Sequence, residues 1–234
     1  MDIKTAAFEH IAHALKDGRP LTEYDVCRFI LDAFEKSAMV TEHFPNCSVN
    51  AHAGDPHYEP QPEGSSAIKK GDLILIDLWA KIDTPYGLFA DITWMAYAGT
   101  AGDIPARYHE IFALVTAARD KAVDFLRQHI DSRPVSGYEV DDVCREVIVK
   151  GGYGEFFTHR TGHSIGSSVH FVGPNIDNLE TEDHRKLKKG HLFSIEPGIY
   201  LDDCGFRSEI DVLIGHDGIE VTTLPLQQTI QPLL

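Results

Sequence analysis

The residues in this chain best suited to chemistry are four carboxylates at the ends of apolar runs. Asp77 follows Leu73-Ile74-Leu75-Ile76, and Asp91 follows a turn signal at Asp83-Thr84-Pro85-Tyr86-Gly87. Glu196 follows Leu192-Phe193-Ser194-Ile195, and Glu209 lies beyond the turn-prone run Asp202-Asp203-Cys204-Gly205. The midpoint of Asp77 and Asp91 is Thr84, and that of Glu196 and Glu209 falls between Asp202 and Asp203. Each pair therefore reads as two acids facing each other across an antiparallel hairpin, with Cβ atoms ~4.5–5.5 Å apart. Facing carboxylates on such apolar strands repel and are costly to bury. Either one holds a proton or a cation sits between them. Two pairs supply four negative charges, which two divalent cations would neutralise.

A nitrogen ligand is at hand. The segment Thr158-His159-Arg160-Thr161-Gly162-His163-Ser164-Ile165-Gly166 is glycine-rich, so its backbone can approach other groups closely. His170 follows, so three histidines at spacings of four and seven stand beside these glycines, between the two acidic hairpins. Mostly oxygen ligands with one imidazole favour Mn²⁺, Fe²⁺ or Co²⁺ over a structural zinc site, which would want cysteines or several histidines. Two such ions can activate a water and polarise a scissile carbonyl, so the expected chemistry is hydrolysis.

The elements that must position these groups repeat. Residues 5–16 and 22–38 read as two helices broken at Asp17-Gly18-Arg19-Pro20, with Thr22 and Asp25 forming a capping-box start. Residues 108–130 read as a third helix. It breaks at Asp131-Ser132-Arg133-Pro134, and Ser136 with Glu139 starts a fourth. Arg19-Pro20-Leu21-Thr22-Glu23-Tyr24-Asp25-Val26 aligns with Arg133-Pro134-Val135-Ser136-Gly137-Tyr138-Glu139-Val140 at an offset of 114, with four identities. Lys70-Gly71-Asp72-Leu73-Ile74-Leu75-Ile76-Asp77 parallels Lys189-Gly190-His191-Leu192-Phe193-Ser194-Ile195-Glu196 at an offset of 119. Asp91 and Glu209 are separated by 118. Near-equal offsets point to a duplicated α+β unit: one domain of two pseudo-symmetric halves, strands curved around a central site and helices outside.

Bulk composition narrows the function. A chain of 234 residues, 43% hydrophobic and 24% charged, can bury a core. No apolar run approaches the ~18 residues of a membrane span, and the N-terminus does not resemble a signal peptide. A net charge of −15 argues against nucleic acid and anionic membranes as partners. Cys27, Cys47, Cys144 and Cys204 are widely spaced and read as reduced structural thiols, so the expected compartment is the cytoplasm. The basic run His184 to Lys189 reads as a solvated helix end, and His43 as a surface group.

Five motifs in order make the chain resemble the catalytic domain of the pita-bread metallopeptidases, the family of methionine aminopeptidase, aminopeptidase P and prolidase. They are Ile76-Asp77-Leu78, Ala90-Asp91-Ile92-Thr93, Thr161-Gly162-His163-Ser164-Ile165-Gly166, Ile195-Glu196-Pro197-Gly198-Ile199-Tyr200 and Arg207-Ser208-Glu209-Ile210-Asp211. The resemblance implies a pita-bread fold and metal ligands Asp77, Asp91, His163, Glu196 and Glu209. Asp77 and Asp91 would chelate one ion, Asp91 and Glu209 would bridge both, and His163 and Glu196 would complete the second. Two divalent ions are implied, Mn²⁺ first, with Co²⁺, Fe²⁺ or Zn²⁺ as alternatives. Glu196-Pro197-Gly198-Ile199-Tyr200 and Arg207 resemble the proline-specific branch. That branch implies catalytic roles for His57 (with His52 as the weaker alternative), His159, His170, Glu196 and Arg207, the last holding a carboxylate outside the ligand set. Trp79 stands where the family commonly has glycine and would reshape the pocket. Proline-specific members usually carry an N-terminal domain; the expectation here is a single catalytic domain, 1–234, without one.

The reading is thus a dinuclear hydrolase cleaving before proline, as aminopeptidase or dipeptidase, on short peptides with proline second. A homodimer is implied by resemblance alone. Two readings compete with it: a hydrolase of a non-peptide small amide on the same fold, and a catalytically silent binding protein.

Overall fold

The computed structural model describes residues 1–234. Its elements run α1 (Asp2–Asp17), α2 (Glu23–Lys36), β1 (Met39–Val40), β2 (Asn46–Val49), β3 (Leu73–Ile82), β4 (Ala90–Tyr97), α3 (Ala106–His129) and α4 (Gly137–Lys150). They continue as β5 (Ser164–Ile165), β6 (Leu192–Ile195), β7 (Gly198–Tyr200), β8 (Gly205–Arg207), β9 (Ile210–Gly215), β10 (Gly218–Val221) and β11 (Gln231–Pro232). Four helices thus appear where four were expected. Gly18 ends α1 in the left-handed conformation at φ 66°, where a side chain would be strained. Thr22 and Asp25 exchange hydrogen bonds at the start of α2, satisfying two of the N–H groups a helix start leaves free. At α4 the Glu139 carboxylate accepts from the Ser136 N–H at 2.8 Å.

The halves repeat at the predicted offsets. An isolated bridge joins Thr22 to Ala67, and its counterpart joins Ser136 to Lys186. Ile68 N–H donates to Leu21 at 2.8 Å, and Leu187 N–H to Val135 at 2.9 Å. In the first half β3 pairs antiparallel with β1, β2 and β4; in the second, β6 lies between β5 and β9, with β10 outside. Beyond expectation, β11 adds parallel to β4. Strand β3 is apolar along most of its length because both of its faces are covered. Ile74, Ile76 and Leu78 pack with Phe8, Ile11, Val26 and Ile30 beneath α1 and α2, while Leu73 and Leu75 join the other apolar cluster. That cluster also holds Phe193, Ile195 and Val212 against Val115, Ala122, Val140 and Ile148 of α3 and α4.

The second hairpin has the expected register. Ile195 pairs with Ile210 and Gly198 with Arg207, which sets Glu196 opposite Glu209 where the ladder is interrupted. The first hairpin does not. Asp77 pairs with Thr93 and Asp91 with Trp79, so the two aspartates are diagonal neighbours rather than opposite ones. The turn is centred on Pro85, one residue later than expected: Gly87 N–H closes on the Thr84 carbonyl at 3.1 Å, while Asp83 N–H is drawn off to Ala38. A slip of two residues keeps both aspartates on one face, whereas a slip of one would have turned one of them over. The basic run His184 to Lys189 is likewise not a helix end. It is extended, because Lys186 bridges to Ser136 and its ammonium reaches the Ser136 hydroxyl at 2.7 Å. All four thiols are free and buried. No helix is long and apolar enough to cross a membrane.

Candidate active site

The halves meet at β4 and β9. Glu209 N–H donates to the Thr93 carbonyl at 3.3 Å, and Asp91 N–H donates to the Asp211 carboxylate at 2.9 Å. This seam closes one side of a cavity of about 290 Å³. Asp77, Asp91, His163, Glu196 and Glu209 line it, as do His57, His159, His170 and Arg207, so all nine sequence candidates surround one space. His52 does not: its Nδ1 lies 2.9 Å from the Glu23 carboxylate and its ring stacks on Tyr58.

Asp91, His163 and Glu209 present ligand atoms within 4.8 Å of one another and are 3–4% exposed. Glu196 joins them, with Oε1 3.5 Å from His163 Nε2, which is itself 3.5 Å from Asp91 Oδ2. Asp77 is held by Arg207, whose Nη2 donates to its Oδ2 at 2.5 Å. The carboxylate that Arg207 grips is therefore one of the expected ligands rather than one outside them. The same guanidinium donates from Nε to Thr93 Oγ1 at 2.9 Å and from Nη1 to the Tyr200 hydroxyl at 3.0 Å. Thr93 Oγ1 passes the contact on, donating to Glu209 Oε2 at 2.8 Å. Ser194 does similar work in the second half: its hydroxyl accepts the His163 N–H at 2.9 Å and donates to Glu196 Oε1 at 3.1 Å.

The electrostatics are those of a cluster short of positive charge. Burial pushes Asp77 and Asp91 above the usual carboxylate range and Glu209 well above it, and neighbouring acids add to the rise. Burial alone would lower His163, but Asp91 and Glu196 beside it raise it to about 9. Burial would raise Glu196, yet His163, His159 and Arg207 hold it low. Asp77 Oδ1 and Asp91 Oδ1 are buried without any hydrogen-bond partner. An orphaned carboxylate oxygen in the interior is expensive, and a divalent cation is the group that would satisfy it. The donor set, oxygens with one imidazole, fits such an ion.

The remaining histidines differ in freedom. His159 is fully engaged: Nδ1 donates to the Arg160 carbonyl at 2.6 Å, so Nε2 accepts from the Tyr200 hydroxyl at 2.7 Å. This fixes its tautomer, and burial keeps it neutral. His170 sets its ring edge-to-face on His163 at 4.3 Å, and burial with the charge of His163 lowers it to about 4. His57 is exposed at the rim. Five further wall residues carry no signal of this role in the sequence: His43, Pro56, Arg160, Val169 and Glu180. Glu180 is anchored to Arg160, accepting from its N–H at 3.2 Å. No periodicity marks these positions, because they come from irregular segments joined only by the fold. Trp79, flagged from sequence, lines the cavity beside the aspartates.

The chain is similar to known proteins both in sequence and in fold. The Xaa-Pro dipeptidase of Pyrococcus furiosus is 33% identical over 171 residues, covering 71% of this chain and 45% of that protein. The Xaa-Pro dipeptidase of Lactobacillus helveticus is 31% identical over 173 residues, covering 74% and 42%. The chain thus spans less than half the length of these curated relatives. Among solved structures, an X-Pro aminopeptidase from Thermotoga maritima superposes with a TM-score of 0.79 at 27% identity, covering 99% of this chain and 60% of that one. A dipeptidase from Pyrococcus horikoshii gives 0.77 at 27%, covering 99% and 59%. These solved neighbours share the pita-bread fold expected from sequence. The family model described as metallopeptidase family M24 matches residues 1–216, across both acidic hairpins and the histidine segment between them. On that match and this site, the chain belongs to the M24 metallopeptidases.

Proposed function

We propose that residues 1–234 form a catalytic unit that binds two divalent cations and cleaves the bond between a residue and a following proline in short peptides. The observation that carries this is the convergence of Asp77, Asp91, His163, Glu196 and Glu209 on one cavity, with two of their oxygens buried and unpartnered. In this reading Asp91 and Glu209 would contribute to both ions, Asp77 to one, and His163 and Glu196 to the other. Bound there, the ions would supply Lewis acidity toward a carbonyl and lower the pKa of water.

The chain's own groups do the rest. Arg207 fixes Asp77 and, through Thr93, Glu209, so the acids cannot swing apart. Ser194 aligns His163 with Glu196. Neutral His170, with neither ring nitrogen engaged, can donate to an oxygen on which negative charge develops. His159 meets substrate only by releasing Tyr200, which makes it a group for orientation rather than proton transfer. Trp79 and Val169 offer the cavity apolar surface, which suits a pyrrolidine ring or an aliphatic side chain. Four buried thiols suit a reducing compartment, the cytoplasm.

The test is metal-depleted protein reconstituted with Mn²⁺ or Co²⁺ and offered a panel of Xaa-Pro di- and tripeptides beside Met-Ala-Ser. Metal-dependent release of the residue before proline is expected. Hydrolysis of Met-Ala-Ser with the proline peptides intact would refute the specificity. Activity confined to small non-peptide amides would move the function elsewhere on the same fold.

A further inference from the structure

Behind the cavity each half carries a buried carboxylate on its second helix: Glu23 on α2 and Asp141 on α4, neither of them exposed. Neither belongs to the site, and each fastens loops that do. Glu23 accepts from Val49 N–H at 2.8 Å, Ser66 N–H at 2.7 Å and the Tyr58 hydroxyl at 2.6 Å, and it meets His52 Nδ1 at 2.9 Å. It thereby ties down both sides of the loop that carries His57.

Asp141 reaches closer to the ligands. Its Oδ1 accepts from Thr161 twice, from N–H at 2.9 Å and from Oγ1 at 2.5 Å, and its Oδ2 accepts from Asn178 N–H at 3.2 Å. Thr161 in turn receives the Glu196 N–H on its carbonyl at 2.7 Å, and its chain neighbour Gly162 leads directly into His163. Arg145, one turn along α4, forks onto both Asp141 oxygens at 3.0 and 3.1 Å. It also donates to the Phe157 carbonyl at 2.9 Å and the His159 carbonyl at 2.8 Å, with its guanidinium 4.1 Å from the Phe157 ring centre. One carboxylate and one guanidinium thus hold the whole segment from Phe157 to Thr161 against the helix.

We infer that Asp141, with Arg145, is a positioning residue for the metal centre, setting His163 and Glu196 through Thr161, whereas Glu23 is the equivalent fastener for the substrate-side loop of the other half. This inference rests on the ligand assignment proposed above. A purely structural carboxylate would lower stability when changed and leave the affinity of the folded protein for metal untouched. A positioning one sets that affinity, because partners that orient ligands are worth ~10–100-fold in metal binding.

The experiment is calorimetric titration of Mn²⁺ into metal-depleted protein, with the melting temperature measured alongside. Asp141→Asn replaces an acceptor facing Arg145 with a donor; we expect its Mn²⁺ affinity to fall ~10–100-fold. Glu23→Gln loses a comparable buried charge and should keep Mn²⁺ affinity within about threefold while raising KM. Thr161→Val, which removes only the hydroxyl link, should weaken Mn²⁺ by ~3–10-fold and keeps the test alive if Asp141→Asn does not fold. Unchanged affinity in Asp141→Asn or Thr161→Val overturns the inference, as does equal weakening in Glu23→Gln. Wild-type protein that takes up no Mn²⁺ would instead overturn the ligand assignment itself.

Discussion

Gly162 is the position where a single methyl group should disable the site without touching a ligand. Its backbone lies so close to β6 that an added Cβ would stand 1.9 Å from the Ser194 carbonyl oxygen and 2.7 Å from its carbon. Both are main-chain atoms and cannot swing aside. Retreat is blocked behind as well, where Gly162 and Ile176 exchange hydrogen bonds at 3.0 and 3.1 Å. Restoring even the tightest tolerated contact of 3.0 Å requires the two strands to part by about 1.1 Å. That parting breaks the contacts aligning His163, namely Ser194 N–H to its carbonyl at 2.9 Å and its own N–H to Ser194 Oγ at 2.9 Å. Misplacement of this size costs on the order of 10²-fold in rate. In Gly162→Ala we therefore expect kcat/KM on an Xaa-Pro peptide to fall by ~10²-fold or more, with Mn²⁺ affinity falling too. Gly18→Ala is the control. It forces a side chain to φ 66° at the end of α1 with nothing nearby, so it should lower stability by ~1–2 kcal/mol and leave kcat/KM within about twofold. A folded Gly162→Ala protein with kcat/KM within threefold of wild type would refute the reasoning.

Other outcomes follow from the same geometry. In metal-free protein Asp77 rises to about 7 through burial, and His163 reaches about 9 because Asp91 and Glu196 outweigh its burial. Both groups hold protons when folded that the unfolded chain releases, so melting temperature in EDTA should fall as pH rises from about 5 to 8. Saturating Mn²⁺ should flatten that slope by displacing the protons, and a melting temperature that climbs with pH in EDTA would contradict the account. His170→Ala should lower kcat ~10–10³-fold with metal content near wild type, read by elemental analysis; loss of metal would mean that His170 has been misassigned. Burial pushes Cys27, Cys144 and Cys204 up to about 12 and Cys47 well up, so native protein should resist alkylation near pH 8 and take four labels only when unfolded.

Much of the scaffold could be read from the residues because it is written locally. Gly18, Thr22 with Asp25, and Ser136 with Glu139 mark helix ends through side chains that act within one turn. The second hairpin could be placed because its turn is symmetric about Asp202 and Asp203. The first could not, since Asp83 is diverted to Ala38, a contact from another part of the chain that moves the turn by one residue. Similarly, nothing near Lys186 announces its pairing with Ser136, and nothing near Gln231 announces its place beside Ala96. In the site, the acids were legible because a carboxylate on or beside a buried apolar strand is rare. His43 and Arg160 were not, because they lie on exposed or irregular segments that only long-range packing brings to the cavity.

The repeat also has a history to tell. Ser48 stands to Leu75 as His163 stands to Ser194, so the imidazole has a serine as its counterpart in the other half. The acids have no such mismatch, since each half contributes two. Had a half-length ancestor associated with itself about the same axis, it would already have gathered a ring of four carboxylates able to catch cations. Fusion of the two copies would then have freed each to drift, one gaining a nitrogen donor and the other keeping a hydroxyl. If the centre holds two ions, as proposed above, positions that began equivalent would in this way have come to differ in their donors.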